Sequence, residues 1–411
     1  MKHRRSMPST GATQRSRPAR GGSFLPGIDV LLTERIGWIK GRRVGLVSHA
    51  AAVDAAGCHA AQRLRDAPGV QLSCLLGPEH GFFSRAGAGE ACGSVQHPDW
   101  NIPVFSLYGD TRKPTPEMLS HVDLLVVDLQ DLGARAYTYV STLALVMEAA
   151  AEAGKPVIVA DRPVPLPNTV DGPMPDGRHR SFVSWIDAPL SYGMTPGETA
   201  LWLRRTTALD LDLRVAPLRG YRRDPARSTA WFPWIPPSPA IRSWECAMCF
   251  PATVAFEALG AVDHGRTGPL PFQVLGSAWM DGTEVCARLR EQALPGVCFH
   301  PHRYVPTAPA AGAAECLGVR MSVTDPDAFQ PVTTGYALIR TLEELYGRRR
   351  VWTPGVSRPE FFDKLMGTDS VRTALRERVP TVDVARQWRE ASRSFRRQRL
   401  ACLLYERPSV R

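Results

Sequence analysis

The chain has 411 residues, of which 44% are hydrophobic, and its formal net charge is +10 at pH 7. This length suits about two domains, and this hydrophobic fraction excludes a chain that is disordered throughout. No apolar run approaches the ~18 residues of a membrane-spanning helix, so no membrane span is predicted.

The first segment, residues 1–25, is a basic leader that we predict to be disordered. It is rich in serine, proline, glycine and arginine, and it contains neither an acidic residue nor an apolar run. It therefore lacks the features of a signal peptide or a membrane anchor, and we expect a cytoplasmic protein. Nucleic-acid binding through the leader is an alternative, but no base-reading module is present, so no nucleic-acid partner is predicted.

Short apolar runs predict buried parallel strands in the first half of the chain. They are residues 43–50, 71–76, 123–130, 156–161 and 211–218. Helical segments alternate with them, at residues 58–66, 115–121, 140–153 and 197–207. Strands and helices in this alternation predict an α/β fold with an open parallel sheet and right-handed crossovers.

The character of the chain changes after about residue 220. Residues 231–240 are rich in proline and tryptophan and cannot form regular structure, so we place a domain boundary near residue 235. The remainder, residues 236–411, combines a strand at 315–325 with helices at 333–347 and 382–406. We predict a smaller α+β domain there.

The nine cysteines are odd in number and irregular in spacing. This pattern does not indicate a disulfide framework, and it predicts reduced thiols in a reducing compartment. Cys246 and Cys249 form one CxxC pair with no second pair nearby. We interpret them as packed side chains, because zinc and redox sites usually need further partners.

Ionisable and aromatic side chains follow four successive predicted strands. Ligands of an open α/β sheet bind outside the carboxyl ends of its strands, and functional sites collect ionisable groups. We therefore expect these side chains to share one rim. The candidates are His49, Glu79, His80, Asp128, Gln130, Asp131, Arg135, Tyr137, Tyr139, Asp161 and Arg162.

The motifs of the common α/β cofactor and hydrolase sites are missing from the sequence. No G-x-G-x-x-G follows the first strand, and Walker A, H-E-x-x-H and G-x-S-x-G sequences do not occur. No cofactor and no metal are therefore predicted. The remaining carboxylates, tyrosines, arginines and imidazoles suit hydrolysis of a glycosidic bond, which needs one protonated carboxyl group and a second group beside the anomeric carbon.

Several stretches together resemble one enzyme family. They are "GPEHGFF" (77–83), "DLLVVDLQDLGARAYTYVSTL" (123–143), "VIVADRP" (157–163), "YGMTPGETA" (192–200) and "GSAWMD" (276–281). The pattern is similar to the NamZ-type exo-β-N-acetylmuramidases, formerly a domain of unknown function. The resemblance covers roughly residues 26 to 407.

The resemblance implies a fold and an activity. It implies a Rossmann-like N-terminal catalytic domain, residues 26–235, and a C-terminal domain, residues 236–411, that closes the cleft. It implies release of N-acetylmuramic acid from the non-reducing ends of peptidoglycan fragments, such as muropeptides and MurNAc-GlcNAc, without a cofactor.

The resemblance and the strand positions assign roles to the candidates. Glu79 matches the family's favoured catalytic acid. Asp131, and after it Asp161, is the expected second carboxylate. Arg135, ahead of Arg162, is expected to bind the lactyl carboxylate of the sugar, and the alternative is that Arg135 pairs internally with Asp131 or Asp128. The other residues expected to bind substrate are His49, His80, Gln130, Tyr137 and Tyr139.

Three positions depart from the family pattern by losing a polar group. They are Gly87, Val164 and residues 258–260 after Glu257. Such losses predict either a changed sugar pocket or an alternative function, a non-catalytic sugar-binding protein of the same fold.

Overall fold

The computed structural model describes residues 24–225, 234–306 and 315–407. Its first seven strands are β1 (Arg43–Ser48), β2 (Gln71–Gly77), β3 (Val95–Gln96), β4 (Pro103–Ser106), β5 (Leu124–Asp128), β6 (Val157–Ala160) and β7 (Leu213–Ala216). They form one sheet in the order β3-β4-β2-β1-β5-β6-β7. Neighbouring strands are parallel except β3 and β4. The predicted parallel sheet is confirmed.

The strand order positions the site. β2 and β4 lie on one side of β1, and β5, β6 and β7 lie on the other. This is the order of a doubly wound Rossmann-like sheet, whose ligands bind beside the strand where the order reverses. Ser48 pairs with Asp128, so β1 and β5 end at the same level. The segments that follow β2 and β5, with Glu79 and Gln130, therefore leave the sheet on either side of β1.

Helices cover the sheet. They are α1 (Gly27–Glu34), α2 (Ala60–Asp66), α3 (Pro116–Ser120), α4 (Tyr139–Glu152) and α5 (Pro196–Thr206). The four helices predicted between the strands are confirmed within about two residues. α5 begins with a reciprocal capping box between Thr195 and Glu198, which satisfies two main-chain amides at its start. β4 was not predicted, because it has only four residues and begins at a proline.

The C-terminal half is α+β, as predicted. Its antiparallel sheet has the order β8-β10-β9, with β8 (Val274–Ser277), β9 (Val297–Tyr304) and β10 (Cys316–Val323). Its helices are α6 (Trp244–Thr253), α7 (Gly282–Glu291), α8 (Pro331–Tyr346), α9 (Arg348–Val351), α10 (Pro359–Met366), α11 (Ser370–Arg376), α12 (Thr381–Ala391) and α13 (Arg393–Leu400).

The predicted helix over residues 382–406 is wrong in its extent. It is divided at Ser392 into α12 and α13, and the helical structure ends at Leu400. Beyond that point the chain returns to the N-terminal half. The Leu404 amide donates to Glu198 Oε1 at 2.9 Å, and the Tyr405 hydroxyl donates to Asp161 Oδ2 at 2.5 Å. These hydrogen bonds to distant carboxylates stabilise the chain more than further helical turns would, so the helix ends early.

The two halves share a hydrophobic core. One cluster runs without interruption from Val127 and Tyr139 to Phe250 and Leu338, while a second lies under the other face of the large sheet. The boundary near residue 235 stays a prediction. Residues 1–23 of the leader lie outside the described residues. Among the described helices, none has both the length and the apolar character that crossing a membrane requires.

Candidate active site

A cavity of about 380 Å³ opens at the carboxyl end of the large sheet. Both halves of the chain line it. The N-terminal half contributes Glu79, His80, Gly89, Tyr108, Tyr137 and Thr138, and the C-terminal half contributes Phe250, Glu257, Arg266, Arg358, Phe361 and Leu365. A larger cavity of about 700 Å³ is lined by residues 288–389 only and contains none of the predicted rim residues. The smaller cavity is therefore the candidate active site.

Glu79 is held by the turn that follows β2. Its Oε1 accepts a hydrogen bond of 2.7 Å from the Gly89 amide, and its Oε2 accepts one of 2.6 Å from the Thr138 hydroxyl. A Cβ atom at Gly77 would overlap the main-chain nitrogen of Phe82, so only glycine allows this turn to close. His80 has a φ of 73°, in the left-handed region. A left-handed conformation costs free energy for a residue other than glycine, and residues of this kind cluster at functional sites.

Tyr108 is a further neighbour of Glu79 that the sequence analysis missed. Its side chain lines the cavity together with Glu79, and the guanidinium carbon of Arg112 lies 4.9 Å from the centroid of its ring. Burial raises the pKa of Tyr108, and the nearby Glu79 raises it further, so the phenol stays protonated at neutral pH. The available signal was its place in "FSLYGD", directly after β4. A strand prediction for β4 would have put Tyr108 on the rim.

Glu257 brings a second carboxylate from the C-terminal half. It lies in a 3₁₀ turn, Val254–Ala258, after α6. Arg266 Nη1 is 3.0 Å from its Oε1. Burial raises the pKa of Glu257, Arg266 and Arg358 oppose this, and the charge of Glu79 adds to it. In the sequence, Glu257 stands out only as the residue before a departure from the family pattern.

Arg358 is the second arginine of the cavity. Its Nη2 donates a hydrogen bond of 2.8 Å to the carbonyl oxygen of Glu257. Its guanidinium carbon lies 4.5 Å from the centroid of the Phe361 ring. The side chain is exposed at the mouth of the cavity, where an acidic group of a ligand can reach it.

Three of the predicted site residues line the cavity: Glu79, His80 and Tyr137. The His80 ring is oriented by a 2.9 Å hydrogen bond between Nδ1 and the Ala86 carbonyl oxygen. Tyr139 lies behind Tyr137, with ring centroids 4.7 Å apart, and donates a hydrogen bond of 2.6 Å to the Pro237 carbonyl oxygen. Tyr139 therefore supports the wall and does not form it.

The structure does not bring Asp131 to the cavity. Its carboxylate is buried and accepts hydrogen bonds from the Gly133 amide at 3.0 Å and from the Tyr192 hydroxyl. Burial raises the pKa of Asp131 to about 6. Asp131 therefore helps to hold the loop after β5 through its hydrogen bond with the Gly133 amide. Gly133 has a left-handed φ of 68° in this loop.

Asp161 is also placed away from the cavity. It accepts hydrogen bonds from the Gly197 amide at 2.7 Å, from the Thr195 hydroxyl at 2.8 Å and from the Tyr405 hydroxyl at 2.5 Å. Burial raises the pKa of Asp161 to about 7, and Glu198 adds to this. Asp161 thus joins β6 to the start of α5 and to the C-terminal tail.

The two predicted anion-binding arginines are buried structural residues. Arg162 pairs with Asp128 beneath the rim, with Nη2 3.0 Å from Oδ2. Arg135 donates to the Ser184 hydroxyl and, at 2.7 Å, to the Met366 carbonyl oxygen. Neither lines the cavity, so the expectation that Arg135 meets the lactyl carboxylate is corrected. A buried guanidinium is retained where carbonyl and hydroxyl oxygens satisfy it.

Gln130 and His49 hold the loop after β5 from behind. The side-chain amide of Gln130 donates to the Pro163 carbonyl oxygen at 2.7 Å. The main-chain amide of Gln130 donates to His49 Nε2 at 2.8 Å. Burial lowers the pKa of His49, so the ring is neutral and its Nε2 can accept this bond. Both residues were expected to bind substrate, and both lie outside the cavity wall.

Two of the departures from the family pattern adjoin the site. Gly87 lies in the loop whose Gly89 amide bonds Glu79, and its own amide donates to Glu90 Oε2 at 2.7 Å. Ala258 follows Glu257, and its carbonyl oxygen accepts a bond of 2.7 Å from the Arg358 amide. Main-chain hydrogen bonds therefore hold the loop and the turn at these positions. Within residues 24–225, 234–306 and 315–407, no group of three His, Cys, Asp or Glu residues is arranged to hold a metal ion.

The chain matches two family models along most of its length. Exo-beta-N-acetylmuramidase NamZ, N-terminal, matches residues 44–245, and the C-terminal model of the same family matches residues 248–405. A curated relative, peptidoglycan beta-N-acetylmuramidase NamZ of Bacillus subtilis (strain 168), is 34% identical over 398 residues, which cover 97% of this chain and 95% of the relative.

Two crystal structures of DUF1343 family proteins from Bacteroides fragilis share the fold. One superposes with a TM-score of 0.86 at 32% identity and covers 93% of this chain and 99% of its own. The other has a TM-score of 0.75 at 26% identity and covers 94% and 100%. Since both halves match the family models and the curated relative spans nearly the whole chain, this protein belongs to the NamZ family of exo-β-N-acetylmuramidases.

Proposed function

We propose that this protein is a glycoside hydrolase that releases N-acetylmuramic acid from the non-reducing end of peptidoglycan fragments. One observation carries the proposal. Glu79 from the N-terminal half and Glu257 from the C-terminal half line the same cavity, and the charge of Glu79 contributes to the raised pKa of Glu257. Hydrolysis of a glycosidic bond needs two groups of this kind on either side of the scissile bond. The Bacillus subtilis relative carries the same activity in its name.

Glu79 is the general acid in this proposal. Its hydrogen-bond partners are the Gly89 amide and the Thr138 hydroxyl, both of which are uncharged. A hydroxyl can turn from donor to acceptor, so the Thr138 hydroxyl can serve either protonation state of the carboxyl group. The turn after β2 holds the carboxyl at the cavity wall, from which it protonates the leaving glycosidic oxygen.

Glu257 is the second carboxylate. Burial raises the pKa of Glu257, and its ion pair with Arg266 opposes this shift in favour of the charged form. A charged carboxylate beside the anomeric carbon stabilises the positive charge that develops in an oxocarbenium-like transition state. Glu257 replaces Asp131 and Asp161 in this role, because those two are committed to main-chain amides and tyrosine hydroxyls behind the wall.

Arg358 binds the lactyl carboxylate of the sugar in this proposal, in place of Arg135. Its guanidinium is fixed by the Glu257 carbonyl oxygen and by the Phe361 ring, which leaves donors for a bidentate contact. The Tyr137 ring at the cavity wall packs against the sugar. Arg266 is already paired with Glu257 and is the weaker candidate.

Two variants on two substrates test the assignment. A 4-nitrophenyl β-muramoside has a leaving group that needs little protonation, whereas the disaccharide MurNAc-GlcNAc needs full protonation. Glu79→Gln should lower kcat/KM by about 10²–10⁴-fold on the disaccharide and by much less on the nitrophenyl substrate. Glu257→Gln should impair both substrates alike.

Three other results of these measurements would contradict the assignment of Glu79 and Glu257. A leaving-group dependence that appears in Glu257→Gln and not in Glu79→Gln would exchange the two roles. Near-normal turnover by both variants would exclude this cavity as the active site. Absence of turnover in the unmodified protein, with retained sugar binding, would favour the alternative function of a non-catalytic sugar-binding protein, which the polar losses at Gly87, Val164 and residues 258–260 suggest.

We also propose that the enzyme works in the cytoplasm. The support is chemical: all nine cysteines are free thiols, and six of them are buried, as in proteins of reducing compartments. Cell fractionation with an antibody to the chain would test the proposal. Recovery with extracytoplasmic proteins would overturn it without touching the enzymatic assignment.

A further inference from the structure

A short loop, residues 263–268, connects the small antiparallel sheet to the catalytic cavity. At its start, Asp263 forms an antiparallel bridge with Gly276 of β8, through main-chain hydrogen bonds of 2.8 and 2.9 Å. Further along the loop, Arg266 lines the cavity and pairs with Glu257, with 3.0 Å between Arg266 Nη1 and Glu257 Oε1. The contact between Arg266 and the proposed second carboxylate therefore depends on how this loop is fixed.

Asp263 fixes the conformation of the loop. Its Oδ1 accepts a hydrogen bond of 2.8 Å from the Gly265 amide, which closes a tight turn directly before Arg266. Gly265 has a left-handed φ of 68°, and a Cβ atom at this position would overlap a methyl group of Val274. Only glycine therefore allows the turn to close. The carboxylate of Asp263 and the glycine together determine where the chain carries Arg266.

Tyr304, the last residue of β9, holds Asp263 in turn. Its hydroxyl donates to Asp263 Oδ1 at 2.8 Å and also lies 3.2 Å from the Asp263 carbonyl oxygen. The ring packs against Gly276 of β8, where a Cβ atom would lie only 2.9 Å from it. Burial raises the pKa of Tyr304, and Asp263 raises it further, so the hydroxyl stays protonated at neutral pH. A chain of contacts thus runs from Tyr304 through Asp263 and Gly265 to Arg266.

Arg266 opposes the effect of burial on Glu257. Burial raises the pKa of Glu257, and Arg266 lowers it more than any other neighbouring charge does. Glu79 raises this pKa, and Arg358, just before α10, lowers it. His264 Nε2 lies 4.0 Å from Glu257 Oε1, but burial lowers the pKa of His264 to about 3, so its ring is neutral. Loss of the Arg266 contact would therefore shift Glu257 towards its protonated form.

We propose that Tyr304 and Asp263 are positioning residues of the active site, because they fix the loop from which Arg266 holds the Glu257 carboxylate in its ionised form. Neither of the two lines the catalytic cavity, so both act through Arg266. Their placement rests on the contacts of the loop, whereas their importance for hydrolysis rests on the proposed function. The small sheet thereby contributes to catalysis, since β8 and β9 hold the loop in place.

The acid limb of the pH profile of kcat/KM tests this role in the full chain. The substrate is the nitrophenyl muramoside, whose hydrolysis depends on Glu257 and needs little protonation by Glu79. Arg266→Met should move the acid limb upward by about one pH unit, which lowers kcat/KM about tenfold on the acid side. Arg266→Lys keeps the charge and should restore most of the limb. Tyr304→Phe should move the limb in the same direction, with a loss of about two- to threefold on the acid side and little change on the plateau.

A second tyrosine of the C-terminal half provides the matched control. The Tyr346 hydroxyl accepts a hydrogen bond of 2.8 Å from the Asp281 amide, and neither residue lines the catalytic cavity. Tyr346→Phe removes the same group and should leave the acid limb in place. An acid limb that stays in place in both Arg266→Met and Tyr304→Phe would overturn the proposal. So would an equal loss by Tyr304→Phe at every pH, because a purely structural tyrosine would produce it.

A second measurement needs no turnover. The side-chain carboxyl carbons of the glutamates are labelled with ¹³C, and the NMR signal of Glu257 is identified by its loss in Glu257→Gln. The pKa of Glu257 should be higher in Arg266→Met and in Tyr304→Phe than in the unmodified protein and in Tyr346→Phe. Such shifts in a protein without turnover would support the positioning role while refuting the proposed catalysis. An unchanged pKa in Tyr304→Phe would overturn the positioning role, even where Glu257→Gln abolishes hydrolysis.

Discussion

The guanidinium of Arg135 donates a hydrogen bond of 2.7 Å to the carbonyl oxygen of Met366, the last residue of α10. Arg135 precedes Ala136, Tyr137 and Thr138, which form one wall of the catalytic cavity, while α10 contributes Phe361 and Leu365 to the opposite wall. The same guanidinium bonds Ser184, next to the cavity residue Val183. One buried cation therefore joins three segments that shape the site.

Replacement of Arg135 should disturb the shape of the cavity and not its sugar preference. Arg135→Met leaves the Met366 carbonyl oxygen and the Ser184 hydroxyl without their donor, which should cost about 3 kcal/mol of unfolding free energy. We expect kcat/KM to fall by the same factor on a muramoside and on the matching glucosaminide. A selective loss on the muramoside would return Arg135 to the role of carboxylate ligand.

Replacement of Arg358 should affect the two sugars differently. Arg358→Met removes the donor proposed for the lactyl carboxylate, which the glucosaminide lacks. A charge-assisted hydrogen bond contributes roughly 1.5–3 kcal/mol, so KM for the muramoside should rise by about 10–100-fold while that for the glucosaminide changes little. Arg349→Met, on the exposed face of α9, is the matched control. Equal effects on both sugars would exclude Arg358 as the specificity residue.

The turn that carries Glu79 should depend on glycine at position 77. Gly77→Ala introduces a Cβ atom that overlaps the Phe82 main chain, so the turn must shift and Glu79 must leave the cavity wall. Since small displacements of catalytic groups cost about 10²-fold, turnover should fall by that order. Gly93→Ala meets no atom within 4 Å and should retain activity. Comparable activity of the two variants would show that the turn is not required.

Asp161 should make stability depend on pH. Burial raises its pKa in the folded protein to about 7 from an ordinary value of 3.8, so the folded state binds more protons than the unfolded state between these values. Its contribution is therefore complete below about pH 4 and is lost as pH rises towards 7, by up to about 1.4 kcal/mol per pH unit.

Urea unfolding as a function of pH measures this effect. Asp161→Asn keeps an oxygen for the Gly197 amide and removes the titration, so its stability should be flatter than that of the unmodified protein over this range. The difference in slope between the two stability curves should disappear below about pH 4, where Asp161 is protonated in both the folded and the unfolded state. Parallel curves for the two proteins would mean that Asp161 stays ionised in the folded state, stabilised by its four hydrogen-bond donors.

The sequence alone determined the frame of the protein. Apolar runs marked five of the parallel strands, because strands buried on both faces need continuous apolar residues. The position of Glu79 directly after β2 followed from the same pattern, since residues after parallel strands meet at one edge. The family could be identified because the relevant motifs are local stretches such as "GPEHGFF".

The tertiary structure decided which ionisable residues face the cavity. Asp131, Asp161 and Arg135 look alike in sequence to catalytic or binding groups. Their partners are Tyr192, Tyr405 and Met366, which are 61, 244 and 231 residues away along the chain. A buried charge or carboxyl group requires such partners, and contacts over these separations leave no local pattern.

The same reason applies to Glu257, which enters the site from the other half of the chain. In the sequence, nothing distinguished Glu257 from the other glutamates. The turn that carries it is short, and its partner Arg266 lies nine residues further on. Only the packing of the C-terminal half against the sheet brings Glu257 within reach of Glu79's charge. The positions of the strands and of the residues that follow them could be predicted from local sequence. The pairing of charged groups that are distant along the chain depended on the tertiary structure.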